Sequence, residues 1–349
     1  MGRVLSRISP QTLRILALLI VLALVVVFFS TQIPNYLNGR LFNRISSSVA
    51  IMALIATGQT LVILTRNIDL SVGSIVGFSA FAAGSLVTGM PDLHPALLVL
   101  YAAAVGAAFG AFNGLIVAYA RVPSIIVTLA TLALFRSFLV EYSDAKSITS
   151  SNLPQWLVAF PNTTLFEIGQ FDFRAGFLSA LAVVIVVHVA LNRLRPARRF
   201  YAVGSNPEAA EMAGINTRAT VFTAFVLSGA LAGLAGLMFL ARFGNITVVA
   251  GLGFELKSVA ASVLGGVNIF GGSGTVIGAF IGAILVDLID TSLVRWALVS
   301  EFFREAVLGA LILISVSVDA VLMRRLVRLR IARERAKSEA SDAVAEAAR

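Results

Sequence analysis

The chain holds more long apolar stretches than one aqueous core could bury. Ten segments are rich in aliphatic and aromatic residues and poor in charge, at roughly 12–34, 45–65, 71–90, 95–120, 122–141, 175–192, 219–241, 256–269, 274–294 and 303–323. About 20 apolar residues of helix cross roughly 30 Å of hydrocarbon, so these stretches read as the spans of a multi-pass, all-α membrane protein. Only 13% of the residues are charged, about half the share of a soluble domain. The net charge of +9 gathers where apolar segments end. That pattern is what membrane topology demands rather than nucleic acid. Without cysteine, disulfides, thiolate metal sites and cysteine nucleophiles are all excluded.

About ten crossings are therefore expected, and the eighth is the irregular one. Lys257 to Gly271 is short for a span, and Gly265, Gly266, Gly271, Gly272 and Gly274 then interrupt it. Such a broken helix is tolerated at membrane depth only where it packs on protein or lines a cavity. Orientation follows from arginine. The link after the sixth span carries Arg193, Arg195, Arg198 and Arg199, and the C-terminal stretch carries Arg324, Arg325, Arg328 and more. Positive residues favour the cytoplasmic side, so both termini are expected inside, with Arg40 and Arg44 as the exception. The first span lacks a small-residue cleavage pattern and reads as an uncleaved helix. Residues 1–323 form the expected transmembrane domain and 324–349 a charged cytoplasmic tail. Residues 143–173 form one long external segment, whose Trp156, Phe160 and Phe166 suit interfacial anchoring. Gly106, Gly110 and Gly114, like Gly274, Gly278 and Gly282, recur every four residues. That spacing lets helix backbones approach closely in lipid.

Catalytic constellations are missing. His94 and His188 fall on opposite sides of the membrane and neither has a metal-spaced partner, so no metal or cofactor is expected. A phosphate-cradling loop needs glycine directly before lysine. None of Lys146, Lys257 and Lys337 follows one, so any ATP must be used by a separate chain. What stands out instead is charge at membrane depth. Arg136, Asp287 and Asp290 lie inside apolar segments, where such residues are costly and usually face a bundle interior or water. Two readings stay open for them: a polar translocation path, or a structural Arg–Asp pairing that locks the fifth span to the ninth. Arg66 and Asp69, three residues apart between two uncharged runs, belong to the same problem. They read as an ion pair shaping the inner mouth, with Asp69 as a helix N-cap or first-turn acid.

Four segments carry a resemblance: "GQTLVILTRNIDLSVGSIVGFSA", "NGLIVAYARVPSIIVTLATLALFRS", "YAVGSNPEAAEMAGINTRATVFTAFVLSGALAGLAGLM" and "ELKSVAASVLGGVNIFGGSGTVIGAFIGAIL". In this order they resemble the membrane permease of ribose-type sugar importers of the ATP-binding cassette class. The resemblance implies a ten-helix bundle with a broken central helix, in a bacterial inner membrane. It also implies ATP-binding cassette ATPase subunits, a second permease, identical or paralogous, a periplasmic substrate-binding protein and lipid as its partners. "EAAEMAG" matches the cytoplasmic loop that docks on the ATPase, which assigns that role to Glu208, Ala209, Ala210 and Gly214. Where most sugar permeases of this type have two glycines, this chain has Arg66 and Asn67. "TRNID" is similar to the branch that imports autoinducer-2. Two alternatives remain: a proton-coupled secondary transporter using Asp287, Asp290 and Arg136 as a relay, and a branched-chain amino-acid permease, which lacks "IDLSVGS".

Overall fold

A computed structural model describes residues 10–296 and a few isolated positions between 303 and 313. It is overwhelmingly helical. In chain order the elements are α1 (Pro10–Gln32), α2 (Gly39–Leu64), α3 (Val72–Gly89), α4 (Pro95–Ala118), α5 (Ser124–Ser143) and a short α6 (Gln155–Ala159). They continue with strands β1 (Thr164–Ile168) and β2 (Phe171–Arg174), then α7 (Ala175–Arg193), α8 (Arg195–Ser205), α9 (Pro207–Met212), α10 (Thr217–Phe243), α11 (Phe254–Leu264) and α12 (Val276–Arg295). Among the described residues, eight of these helices are long and apolar enough to cross a membrane. The eighth expected span is α11, whose 11 residues rise only about 16 Å at 1.5 Å per residue. The tenth expected span and the charged tail lie outside the described residues, apart from the isolated positions.

The central element is α2. Residues 49–65 are buried without interruption, as expected for a helix apolar on every face. Around it, α10 packs against α2, α3 and α4, while α12 packs against α2 and α11. Glycine makes the tightest of these seams possible. A Cβ at Gly106 would collide with the Gly229 carbonyl oxygen, one at Gly110 with that of Phe225, and one at Gly233 with that of Ala102. The α4–α10 backbones thus touch directly. Gly278 and Gly282 do the same against Gly265 and Ala261. Gly274 departs from that series. It precedes α12 in the left-handed half of the map, at φ +138°, and serves the loop rather than the seam.

Among the described residues, the segment between α5 and α7 departs from an all-α fold. β1 and β2 form an antiparallel hairpin, with Phe166 stacked on Phe173 at 4.7 Å. Phe166 therefore has a partner within the hairpin. Trp156 and Phe160, by contrast, face an apolar cavity of about 420 Å³ beside Leu54, Leu98 and Val183.

Candidate functional site

The stretch joining α2 to α3 forms a dense hydrogen-bonded knot. α2 ends at Thr65, and Asn67 N–H reaches back to the Val62 carbonyl (3.2 Å). The turn demands a left-handed residue, and Arg66 takes it at φ +66°. A side chain makes this conformation costly by roughly 1–2 kcal/mol, a cost glycine would avoid. Here the guanidinium compensates. Its Nε donates to the Gly204 carbonyl at 2.6 Å and its Nη2 to the Ser205 carbonyl at 2.7 Å. The last turn of α8 is thereby latched to the end of α2. Gly204 has no space for a side chain, since a Cβ would run into the Leu64 carbonyl. Gly272 N–H also donates to that carbonyl (3.0 Å), which brings the glycine loop after α11 into the same knot.

Arg66 and Asp69 form no ion pair. Asp69 turns inward, fully buried, and its Oδ1 accepts from Ser71 N–H (2.9 Å) and Ser71 Oγ–H (2.7 Å). The residue at the N-cap is Ser71, so Asp69 closes an Asx turn two residues earlier instead of capping α3. Asn113 donates to the Ser71 hydroxyl at 2.8 Å. With its amide oriented to satisfy both partners, Gln59 donates to the Asp69 carbonyl (3.0 Å) and accepts from its N–H (3.2 Å). Asp69 Oδ2 is left without a hydrogen bond among the described residues. Burial pushes this carboxyl from its ordinary 3.8 up to about 6, against the lowering effect of the two Ser71 bonds.

Directly after the Arg66 latch comes the loop of Glu208, Ala209, Ala210 and Gly214. Asn206 Oδ1 accepts from Ala209 N–H (3.0 Å) and starts α9. Gly214 N–H donates to Glu211 and Ile215 N–H to Ala210 (both 2.9 Å), ending the helix with Gly214 at φ +78°. Ala210 is buried, whereas Glu208, Ala209 and Gly214 are exposed. Met212 projects with 91% of its surface free. Within this chain nothing lies within 4 Å of a Cβ added at Gly214, so the glycine answers to its backbone angle and not to crowding.

The remaining candidates lie at the opposite end of the bundle. Ser48 sits sixteen residues before Leu64 on α2, roughly 24 Å away at 1.5 Å per residue. Near it, Asp287 and Asp290 on α12 line a cavity of about 350 Å³ together with Arg242 and Lys257. Of the two readings left open, the pairing of Arg136 with these aspartates is not formed among the described residues. Lys257 Nζ takes Asp290 at 2.8 Å, and Arg136 Nη1 donates to the Val248 and Ala250 carbonyls at 2.9 and 2.6 Å. Arg136 thus secures the loop between α10 and α11, which forms one wall of the cavity. Arg242 and Lys257 escaped the sequence reading because each stands at the margin of an apolar run. There a charge reads as the end of a span. The signal was available: helical continuation of 219–241 by one residue brings Arg242 inside.

Comparison with known proteins agrees with this architecture. The family described as "Branched-chain amino acid transport system / permease component" matches residues 41–316. The chain is 37% identical over 312 residues to the autoinducer 2 import system permease protein LsrC of Enterobacter sp. (strain 638), covering 89% of this chain and 88% of that protein. It is 40% identical over 260 residues to the protein of the same name from Yersinia enterocolitica, covering 74% and 70%. The protein of that name from Yersinia pestis (strain Pestoides F) is 39% identical over 260 residues, covering 74% and 72%. No solved structure matches. With the family match spanning most of its length and eight membrane-capable helices behind it, the chain belongs to this transport-system permease family.

Proposed function

We propose that the chain is the permease subunit of an ATP-binding cassette importer for an autoinducer-2-like compound in a bacterial inner membrane. The cargo class rests on relatives at 37–40% identity that are named as autoinducer 2 permeases. The mechanism rests on one local observation. The exposed face of α9 follows a helix whose final carbonyls are latched by Arg66 to the end of the buried α2. A push on α9 from an ATPase subunit is therefore carried into the bundle core through the hydrogen bonds that the Arg66 guanidinium donates to the carbonyls ending α8. That end of the molecule is cytoplasmic in this reading, and Glu208, Ala209, Ala210 and Gly214 seat the ATPase. ATP binding then switches the bundle between its two openings, while a periplasmic binding protein delivers cargo to the other end. A second permease completes the path.

Labelled autoinducer-2 uptake is measured in proteoliposomes containing the permease, its ATPase subunits and the binding protein. Uptake should require ATP and survive collapse of the proton gradient. Accumulation driven by a pH gradient without ATPase sinks the importer reading in favour of a secondary transporter. ATP-driven leucine uptake without autoinducer-2 uptake replaces the cargo with a branched-chain amino acid.

A further inference from the structure

We infer that the cavity between α2, α10 and α12 is a binding station for a small, neutral, polyhydroxylated solute within the permease itself. The inference rests on the importer reading and sharpens it by giving this chain its own ligand chemistry. Four observations carry it. First, Arg242 and Asp287 attract each other electrostatically across the cavity. Yet Arg242 Nη1 and Asp287 Oδ2 are buried and make no hydrogen bond among the described residues. A buried polar atom without a partner is costly, and a ligand bearing both hydroxyl donors and oxygen acceptors satisfies the two together. Asp287 accepts from hydroxyls, and Arg242 donates to a hydroxyl or carbonyl oxygen. Second, the charges cancel. Among the lining residues Asp287 and Asp290 are balanced by Arg242 and Lys257, with Arg44 near enough to act on Arg242 from outside the lining, so a cargo with a full net charge finds no dedicated counter-charge.

Third, the cavity has an aromatic side. Phe239 lies 4.5 Å from Phe243 and 5.8 Å from Phe254 between ring centroids, with the Arg242 guanidinium 4.9 Å above Phe243. Flat rings offer an apolar surface to the C–H face of a saturated ring, while Asn245 adds an amide and Ser48, already hydrogen-bonded to Asp287, adds a hydroxyl oxygen. An amino-acid zwitterion needs the two charges but not this surplus of hydrogen-bonding partners. Fourth, the wall is fixed in advance. Ile246 exchanges both backbone hydrogen bonds with Ile148 (2.9 and 3.0 Å), and Arg136 holds Val248 and Ala250. A site already ordered loses less entropy on binding. Its volume of about 350 Å³ falls at the small end of ligand pockets, about 300–1,000 Å³.

The absence of native cysteine makes a direct test available. Ser48→Cys gives a single thiol in the cavity lining. Its labelling by a methanethiosulfonate reagent is timed on the full-length permease in nanodiscs, without binding protein, in the presence of autoinducer-2, D-ribose or L-leucine. Autoinducer-2 should slow labelling saturably, and adding Asp287→Asn or Arg242→Gln should raise the protecting concentration at least about tenfold, which is ~1.4 kcal/mol. If autoinducer-2 uptake by the whole complex is intact but neither hydroxylated probe protects Ser48→Cys, the station is overturned while the importer reading stands. Protection by D-ribose when the complex imports no autoinducer-2 upholds the station and removes the cargo assignment. Protection by leucine alone overturns the ligand class. Should the Asp287 and Arg242 variants misfold, the Ser48→Cys arm still decides. Because Ser48 hydrogen-bonds Asp287, autoinducer-2 uptake by Ser48→Cys itself is measured alongside, and Asn245→Cys, also in the lining, repeats the labelling with that bond intact.

Discussion

The two ends of α2 handle charge in opposite ways. At the Leu64 end, Arg66 donates to two carbonyls and the Asp69 carboxylate accepts two bonds from Ser71. Glycines close the remaining space so fully that a single Cβ at Gly204 or Gly271 would press on a neighbour. At the Ser48 end, Arg242 and Asp287 keep buried atoms unpaired beside an open volume. The knot has unsatisfied atoms of its own, since Asp69 Oδ2 and Asn113 Oδ1 lack a hydrogen bond among the described residues. What separates the two ends is the open volume beside Arg242 and Asp287, which a passing solute can enter. Substitutions at the knot should therefore cost stability and coupling, and substitutions at the cavity should cost transport while the fold persists.

The strongest way to break this contrast is Gly204→Val. Its side chain would occupy the place of the Leu64 carbonyl and the Gly272 N–H. Folded, monodisperse protein should be lost on size-exclusion chromatography, a penalty above about 4 kcal/mol. If Gly204→Val remains folded and active, the knot is not rigid.

A pH series sharpens the comparison next. The folded-state pKa of Asp69, about 6, lies above its ordinary 3.8. The folded state therefore binds this proton more tightly than the unfolded one. The resulting stability is fully present below about pH 4 and is lost as pH rises through 6, amounting to about 3 kcal/mol at ~1.4 kcal/mol per unit. Melting temperature in detergent should fall across that window. Asp69→Asn, which keeps the oxygen that Ser71 donates to, should flatten the curve. An unchanged slope would show that another group is responsible.

Arg66 offers a finer division. Arg66→Ala keeps the strained φ and loses both carbonyl bonds, so it should destabilise by about 1–3 kcal/mol. Arg66→Gly loses the same bonds but removes the strain, and should be milder by roughly 1 kcal/mol. Both should reduce ATPase-driven uptake more than they reduce melting temperature. Equal melting temperatures for the two would remove the strain argument.

The smallest expected effects fall on α9. Gly214→Ala should cost about 1 kcal/mol for its positive φ, with no collision inside this chain. Glu208→Ala should cost ~0.3–1 kcal/mol as a first-turn acid. ATPase pull-down beside a membrane-insertion control reads both. If Gly214→Ala instead abolishes pull-down while insertion is normal, an ATPase surface crowds that position and the glycine is there for space.

The membrane class and the eight long helices among the described residues were legible in the sequence because hydrocarbon imposes one rule, about 20 apolar residues per crossing. That rule acts on each segment alone. The same locality made the α9 loop readable, since Pro207, the Asn206 cap and Gly214 are short-range signals. The partners of the buried charges were not legible. Sequence spacing put Arg66 beside Asp69, and shared depth suggested Arg136 for Asp287 and Asp290. Arg66 instead reaches residues 138 and 139 positions away, and Arg136 reaches 112 and 114 positions. Desolvation makes a partly buried charge such as Arg136 seek satisfied geometry, while Arg66, exposed at the surface, reaches the carbonyls its strained turn aims it at. Which carbonyls are nearest is decided when distant helices pack. The sequence by itself determined that these charges had to be accounted for inside a bundle. Only the tertiary structure decided that two of them close a joint while Arg242 and Asp287 are left facing a cavity.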